Sequence, residues 1–243
     1  IGLVPDLASA RDKTKRRGFQ VFYGIFALGW RGSGRHWLRW RQAYAITAAI
    51  AVPLVVSVHS EISMLMAAGP IPGWASTIFP PYFVMGAAFS GFAMVTILAI
   101  VVRSMLRLKD LVTDWHMDML GRLTLATGLL TAFGYVCEVY TSLYAGGYEQ
   151  QTLLDRFAGP YLWSFWGAVI CNFVPLQLLW FRRIRLAPVP AFLVSLSAVV
   201  GMWLERYMLV VTSLYRDWLE SSVNPFQATF WDWALYIGFI SFF

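Results

Sequence analysis

His59 and Glu61 place an imidazole and a carboxyl inside an apolar run, Ala43 to about Met66, that is long enough to cross a bilayer. Such groups cost several kcal/mol in hydrocarbon unless they are paired, hydrated or neutral, so they point to proton, ion or polar-ligand chemistry. Further along stand His116, Asp118, Arg122, Tyr135, Glu138, Glu205, Arg206 and Asp232, all within or at the edge of apolar runs. Spacing limits what each can do. His59 and Glu61 lie about 200° apart on an ideal helix and cannot both face one pocket directly. Tyr135 and Glu138 are spaced i,i+3 and share a face, where a phenol and a carboxyl can form one link of a proton relay. Glu205 and Arg206 point about 100° apart, so each needs partners elsewhere. Arg206 can pair with Glu138 or Glu61 on another helix, or contact a ligand directly. Asp118 and Arg122, at i,i+4, can close a salt bridge.

Several chemistries do not fit. Cys137 and Cys171 are isolated in apolar runs, with no CxxC, so the chain supplies no iron–sulfur or zinc ligand set. Bis-histidine haem needs two histidines at matched depth. His59 falls on one side of the bilayer, and His36 and His116 on the other. The acids are scattered over different helices, without a metal-ligand cluster. What remains is a polar cluster in an aromatic-rich apolar setting, which suits a quinone. Its ring and tail need an apolar slot, and its oxygens need groups that exchange protons. Asn172, Gln177, Tyr161 and Trp163 can add polar contacts, although aromatics at helix ends also serve as interface anchors.

The elements that must position these groups are membrane helices. Of 243 residues, 58% are hydrophobic and only 13% charged, too much apolar surface for a soluble domain of this size. Hydropathy predicts five complete spans, near 43–66, 80–102, 119–144, 160–181 and 190–214, and a truncated sixth from about Phe230. The expected fold is an all-α integral membrane bundle. A basic segment, 1–42, carries a short interfacial helix within Phe19–Trp30 and precedes a membrane domain over 43–243. The chain opens on Ile1 and its last run is short, so it reads as a piece of a longer protein. Segments 1–42, 103–118 and 182–189 hold fifteen Lys and Arg. The alternating loops 67–79, 145–159 and 215–229 hold only Arg156 and Arg216. By the positive-inside rule the basic loops are expected in the cytoplasm, and the net charge of +6 reflects topology and anionic lipid rather than nucleic acid. On that orientation His59, Glu61, Glu138, Glu205 and Asp232 lie in the outer half.

Certain runs carry a family resemblance: Gly2-Leu3-Val4-Pro5-Asp6-Leu7, Ala27-Leu28-Gly29-Trp30, Ser57-Val58-His59-Ser60, Phe79-Pro80-Pro81-Tyr82-Phe83, Phe89-Ser90-Gly91-Phe92-Ala93, Gly159-Pro160-Tyr161 and Gly201-Met202-Trp203-Leu204-Glu205-Arg206-Tyr207. The chain resembles the NrfD/PsrC-like family of polysulfide-reductase membrane subunits, and within it ActC and ActF of bacterial alternative complex III. The resemblance implies paired four-helix bundles with no haem or iron–sulfur cluster in the subunit itself. It implies oxidation of quinol, such as menaquinol, near the outer face of the bacterial inner membrane. Electrons would pass to an iron–sulfur/molybdopterin-like subunit and multihaem cytochromes c, beside a paralogous NrfD-like subunit and in some assemblies a terminal oxidase. Buried acids would form a proton path, here Glu138, Glu205, Asp118, His116, Tyr135 and Asp232. Two positions depart from the family pattern. Leu65 replaces an Asp linked to the quinol pocket, and Ala75 replaces a His after Pro-Gly-Trp. Glu61, one turn before Leu65 on nearly the same face, can supply the missing carboxylate.

The expected function is therefore a quinol-oxidising membrane subunit that is not catalytic alone. Glu61 and His59 are its catalytic candidates, and Glu61, Arg206 and Glu138 its quinol contacts. The rivals are a non-catalytic ActF-like scaffold with a proton path and the anchor of another molybdopterin or iron–sulfur oxidoreductase.

Overall fold

Ten α-helices and one 3-10 helix account for nearly all the described chain, and no strand occurs among the described residues. A computed structural model describes residues 2–69, 71, 74, 78–215 and 226–242. Ala75, Arg216 and most of the Pro72–Pro80 connection lie outside the described residues. The chain divides into two compact units, 1–58 and 59–243.

In the first unit, α1 (Val4–Lys13) and α2 (Arg17–Phe26) form a helical hairpin leading into α3 (Gly34–Ala67). Pro5 sits in the first turn of α1, where its missing N–H is no loss. Ala8, Ala27 and Trp30 make a small core. Arg11 ties the hairpin by donating from Nη2 to the Trp30 carbonyl (3.1 Å), and its Nε–H bonds Asp12 (2.8 Å). That hydrogen bond holds the exposed Asp12 carboxyl below its usual range. Trp30, Trp37, Trp40 and Tyr44 then pack ring against ring along the start of α3. A short helix, α2, does cover the first part of the Phe19–Trp30 run. The first span begins at Gly34 rather than 43, because the Arg35–Arg41 turns are helical yet too polar for a hydropathy window to include. The helix continues through Pro53.

The second unit holds a four-helix bundle. It is built from α4 (Phe79–Met105), α5 (Asp114–Ala145), α7 (Leu162–Phe173) extended by a 3-10 helix (Pro175–Trp180), and α9 (Pro188–Tyr215). Among the described residues five helices, counting α3 and the joined Leu162–Trp180 segment, are long and apolar enough to cross a membrane. Phe89, Leu125, Leu176, Val194 and Met202 fill one core layer, and Phe79, Tyr82, Tyr135, Phe165 and Met208 another. α10 (Phe230–Phe242) is the short final segment.

Three features differ from the hydropathy reading. The 145–159 connection contains an amphipathic helix, α6 (Gly147–Ala158), which buries Leu153 and Arg156. The 182–189 connection contains α8 (Arg182–Leu186), which buries Arg185. The fourth span is not continuous α-helix. Pro175 lacks the N–H that would bond the Cys171 carbonyl, so the chain tightens to 3-10 geometry. Ser197 on α9 donates its hydroxyl to that freed carbonyl (2.9 Å). Beside this bond the helices are in close contact at Gly201, where a Cβ would fall 2.2 Å from Asn172 Oδ1.

Candidate functional site

A cavity of about 330 Å³ lies among the end of α3, α4 and α9. Phe83, Ala87 and Ser90 present one face of α4 to it at i, i+4, i+7. Val199, Met202, Trp203 and Arg206 do the same from α9, and His59 enters from α3. The Arg206 guanidinium sits 3.8 Å above the Phe83 ring centroid, a cation–π contact that fixes its height. The His59 ring packs against the same phenyl, with centroids 6.3 Å apart. Gly86 makes room for this arrangement, since a Cβ there would come within 3.1 Å of Arg206 Nη2 and 2.8 Å of Met202 Cε.

Behind Arg206 lies Glu205, with no exposed surface. Tyr135 on α5 donates its hydroxyl to Glu205 Oε2 (2.7 Å), and Arg206 Nη2 is 3.5 Å from Oε1. The Tyr82 ring packs edge-on against Tyr135, with centroids 5.4 Å apart, in the space left by Gly134. Tyr82 Oη, Glu205 Oε1 and Arg206 Nη1 are buried and find no geometric hydrogen-bond partner among the described residues. An unmet buried polar group costs roughly 1–3 kcal/mol. Three such groups gathered at one place leave this part of the bundle less fully satisfied than the apolar layers around it. Chemically the site offers an imidazole, a guanidinium and an aromatic wall on the cavity side, with a carboxyl–phenol pair directly behind.

The other predicted residues stand elsewhere. Glu138 does not join Tyr135 or Arg206; it accepts Arg156 Nη1 (2.6 Å), and Arg156 also donates to Thr212 (3.3 Å) and Ser213 (3.4 Å). Asp118 forms the expected pair with Arg122 (2.7 Å) and accepts a second arginine, Arg185 Nε (2.7 Å). Arg185 reaches on to the Leu179 and Trp180 carbonyls that close the 3-10 helix. His116 is exposed and caps α5, its Nδ1 accepting the Thr113 N–H (3.2 Å). Asp232 caps α10, accepting the Thr229 N–H (2.8 Å) and hydroxyl (2.6 Å). Glu61 is exposed, as is Leu65, and neither lines the cavity. Asn172 is buried against Met202 Sδ (3.6 Å), and the Tyr161 hydroxyl accepts the Phe226 N–H (2.7 Å).

The sequence marks Arg156 and Arg185 only as loop charges and Phe83 and Ser90 only as members of motif runs, and it does not single out Gly86. Phe83, Ala87 and Ser90 share one helical face with Gly86, a signal visible once α4 is assigned.

The family model described as polysulphide reductase, NrfD, matches residues 18–216, which includes every group of the cavity. The chain belongs to the NrfD family. This NrfD protein is accordingly a membrane protein with transmembrane helices and a membrane subunit of a quinone-interacting oxidoreductase. NrfD proteins partner generally with iron–sulfur or molybdopterin subunits. The comparison with curated proteins gives no match.

Proposed function

We propose that this NrfD protein oxidises quinol for a respiratory complex of the alternative complex III type, and that the quinol ring enters the His59–Phe83–Arg206 cavity. The observation that carries this reading is the placing of a guanidinium over one phenyl and of an imidazole tilted against it, in front of a carboxyl–phenol pair. Oxidation of a quinol releases two electrons and two protons. His59 accepts the first hydroxyl proton, and Arg206 stabilises the oxygen as it gains negative charge. Glu205 and Tyr135 take protons onward from behind Arg206. The electrons leave to an iron–sulfur subunit and from there to multihaem cytochromes c. Menaquinol is the proposed substrate. The setting is a bacterial inner membrane, with the basic loops in the cytoplasm and a paralogous NrfD-like subunit alongside.

A quinone-site inhibitor titrated against the purified complex tests the assignment. Arg206→Met and His59→Gln should each weaken binding at least about tenfold, the loss of one charge-assisted contact. Full affinity in both variants would overturn it. A second reading, the ActF-like scaffold, is favoured by one observation: Leu65 and Glu61 are both exposed, so no carboxylate from α3 lines the cavity. Under that reading an intact complex keeps its inhibitor affinity in both variants, while a paralogous chain carries the footprint.

A further inference from the structure

At the far end of α4 from Phe83, about 30 Å along the helix, lies a second cavity of about 290 Å³. It is bounded by the α4–α5 connection and the start of α9. Its lining has two halves. Arg103, Ser104, Lys109 and Asp114 make it polar, and Ile100 and Leu186 are among its apolar residues. Arg103 is paired through Nη2 with Asp114, whose side chain stays largely exposed. The Arg103 Nε–H is buried and has no hydrogen-bond partner among the described residues. Two bases against one acid leave the lining positive, and a buried N–H asks for an acceptor.

The occupant must therefore bring anionic oxygen to Arg103 and Lys109 and apolar surface to Ile100 and Leu186. Inorganic phosphate would satisfy the first demand and leave the second. A phospholipid satisfies both, and the depth agrees. Ile100 and Arg103 are one turn apart at the end of a span, where hydrocarbon gives way to headgroups. The same end of the bundle carries Arg107, Arg122, Arg182 and Arg183, the side expected to face an anionic leaflet.

We propose that this cavity is a binding site for one anionic phospholipid, its phosphate on Arg103 and Lys109 and its first acyl chain along Ile100 and Leu186. The site is separate from the quinol cavity and stands whether or not that cavity turns quinol over.

The test uses the purified complex in nanodiscs of phosphatidylcholine doped with phosphatidylglycerol, with retained lipid counted by native mass spectrometry after detergent exchange. Lys109→Gln should lower phosphatidylglycerol retention about fivefold, the usual effect of one basic residue at an anionic surface. Arg103→Gln should lower it further. Asp114→Asn should raise it, because the competing acid is gone. A gain in one variant and a loss in another cannot come from general misfolding. Equal retention in all variants, equal retention of phosphatidylcholine, or full displacement by inorganic phosphate would overturn the proposal.

Discussion

Glu138 and Glu205 are both buried carboxylates in the four-helix bundle, and their surroundings are opposite. Glu138 meets Arg156 at 2.6 Å, and that arginine is also bound by two hydroxyls on α9. Every strong donor there has an acceptor. Glu205 has a phenol on one oxygen, an arginine at 3.5 Å from the other, and unmet polar atoms on both sides of that gap. A close ion pair with several hydrogen bonds ties together the helices that carry it. A carboxyl held by one phenol and by an arginine 3.5 Å away is bound less tightly than one in a close, multiply bonded pair. The first arrangement is a clamp joining α5, α6 and α9. The second leaves its carboxyl with fewer and more distant partners.

The comparison breaks most sharply at Arg156. Arg156→Ala leaves Glu138 buried without its cation and should destabilise the protein by about 3–5 kcal/mol. Thermal unfolding in nanodiscs would show this, with most of the loss recovered in the double variant Arg156→Leu/Glu138→Leu. Glu205→Gln keeps the volume and the Tyr135 bond. It should leave the unfolding transition nearly in place while lowering quinol oxidation at least about tenfold, or about 1.4 kcal/mol of barrier. Equal stability losses at the two carboxylates would erase the distinction between them. The smallest effect belongs to Arg122→Ala. Its side chain is 59% exposed and Arg185 still holds Asp118, so the change should stay within about 0.5 kcal/mol.

Much of this architecture was legible in the residues. Long apolar runs announce α3, α4, α5, α7 and α9, and Arg122 lies one turn from Asp118 in the sequence as in the structure. The partnerships that define the site were not legible in the same way. Tyr135 and Glu138 share a face by spacing, yet Tyr135 bonds Glu205, 70 residues away, and Glu138 bonds Arg156, 18 residues away. Helical periodicity fixes which groups share a face and says nothing about which helix that face meets. Arg156 was hidden for a second reason. A twelve-residue amphipathic helix is too short and too polar for a hydropathy window, so its buried arginine read as a loop charge. Glu61 is the converse case. Its cost in hydrocarbon singled it out, but the helix presents it away from the cavity lining while His59, two residues earlier, faces in.

The Pro175 break also affects length. An α-helix rises about 1.5 Å per residue and a 3-10 helix about 2.0 Å. Drawing Pro175–Trp180 into the tighter form stretches that segment by about 3 Å, and Leu162–Trp180 then covers about 31 Å instead of about 28 Å. Nineteen residues thereby match a hydrocarbon core about 30 Å thick. The Ser197 hydroxyl satisfies the Cys171 carbonyl that this change of geometry frees. Replacing Pro175 with a residue that restores the α-helical bond would leave the span short of the headgroups and draw Arg182 and Arg183 toward the lipid tails.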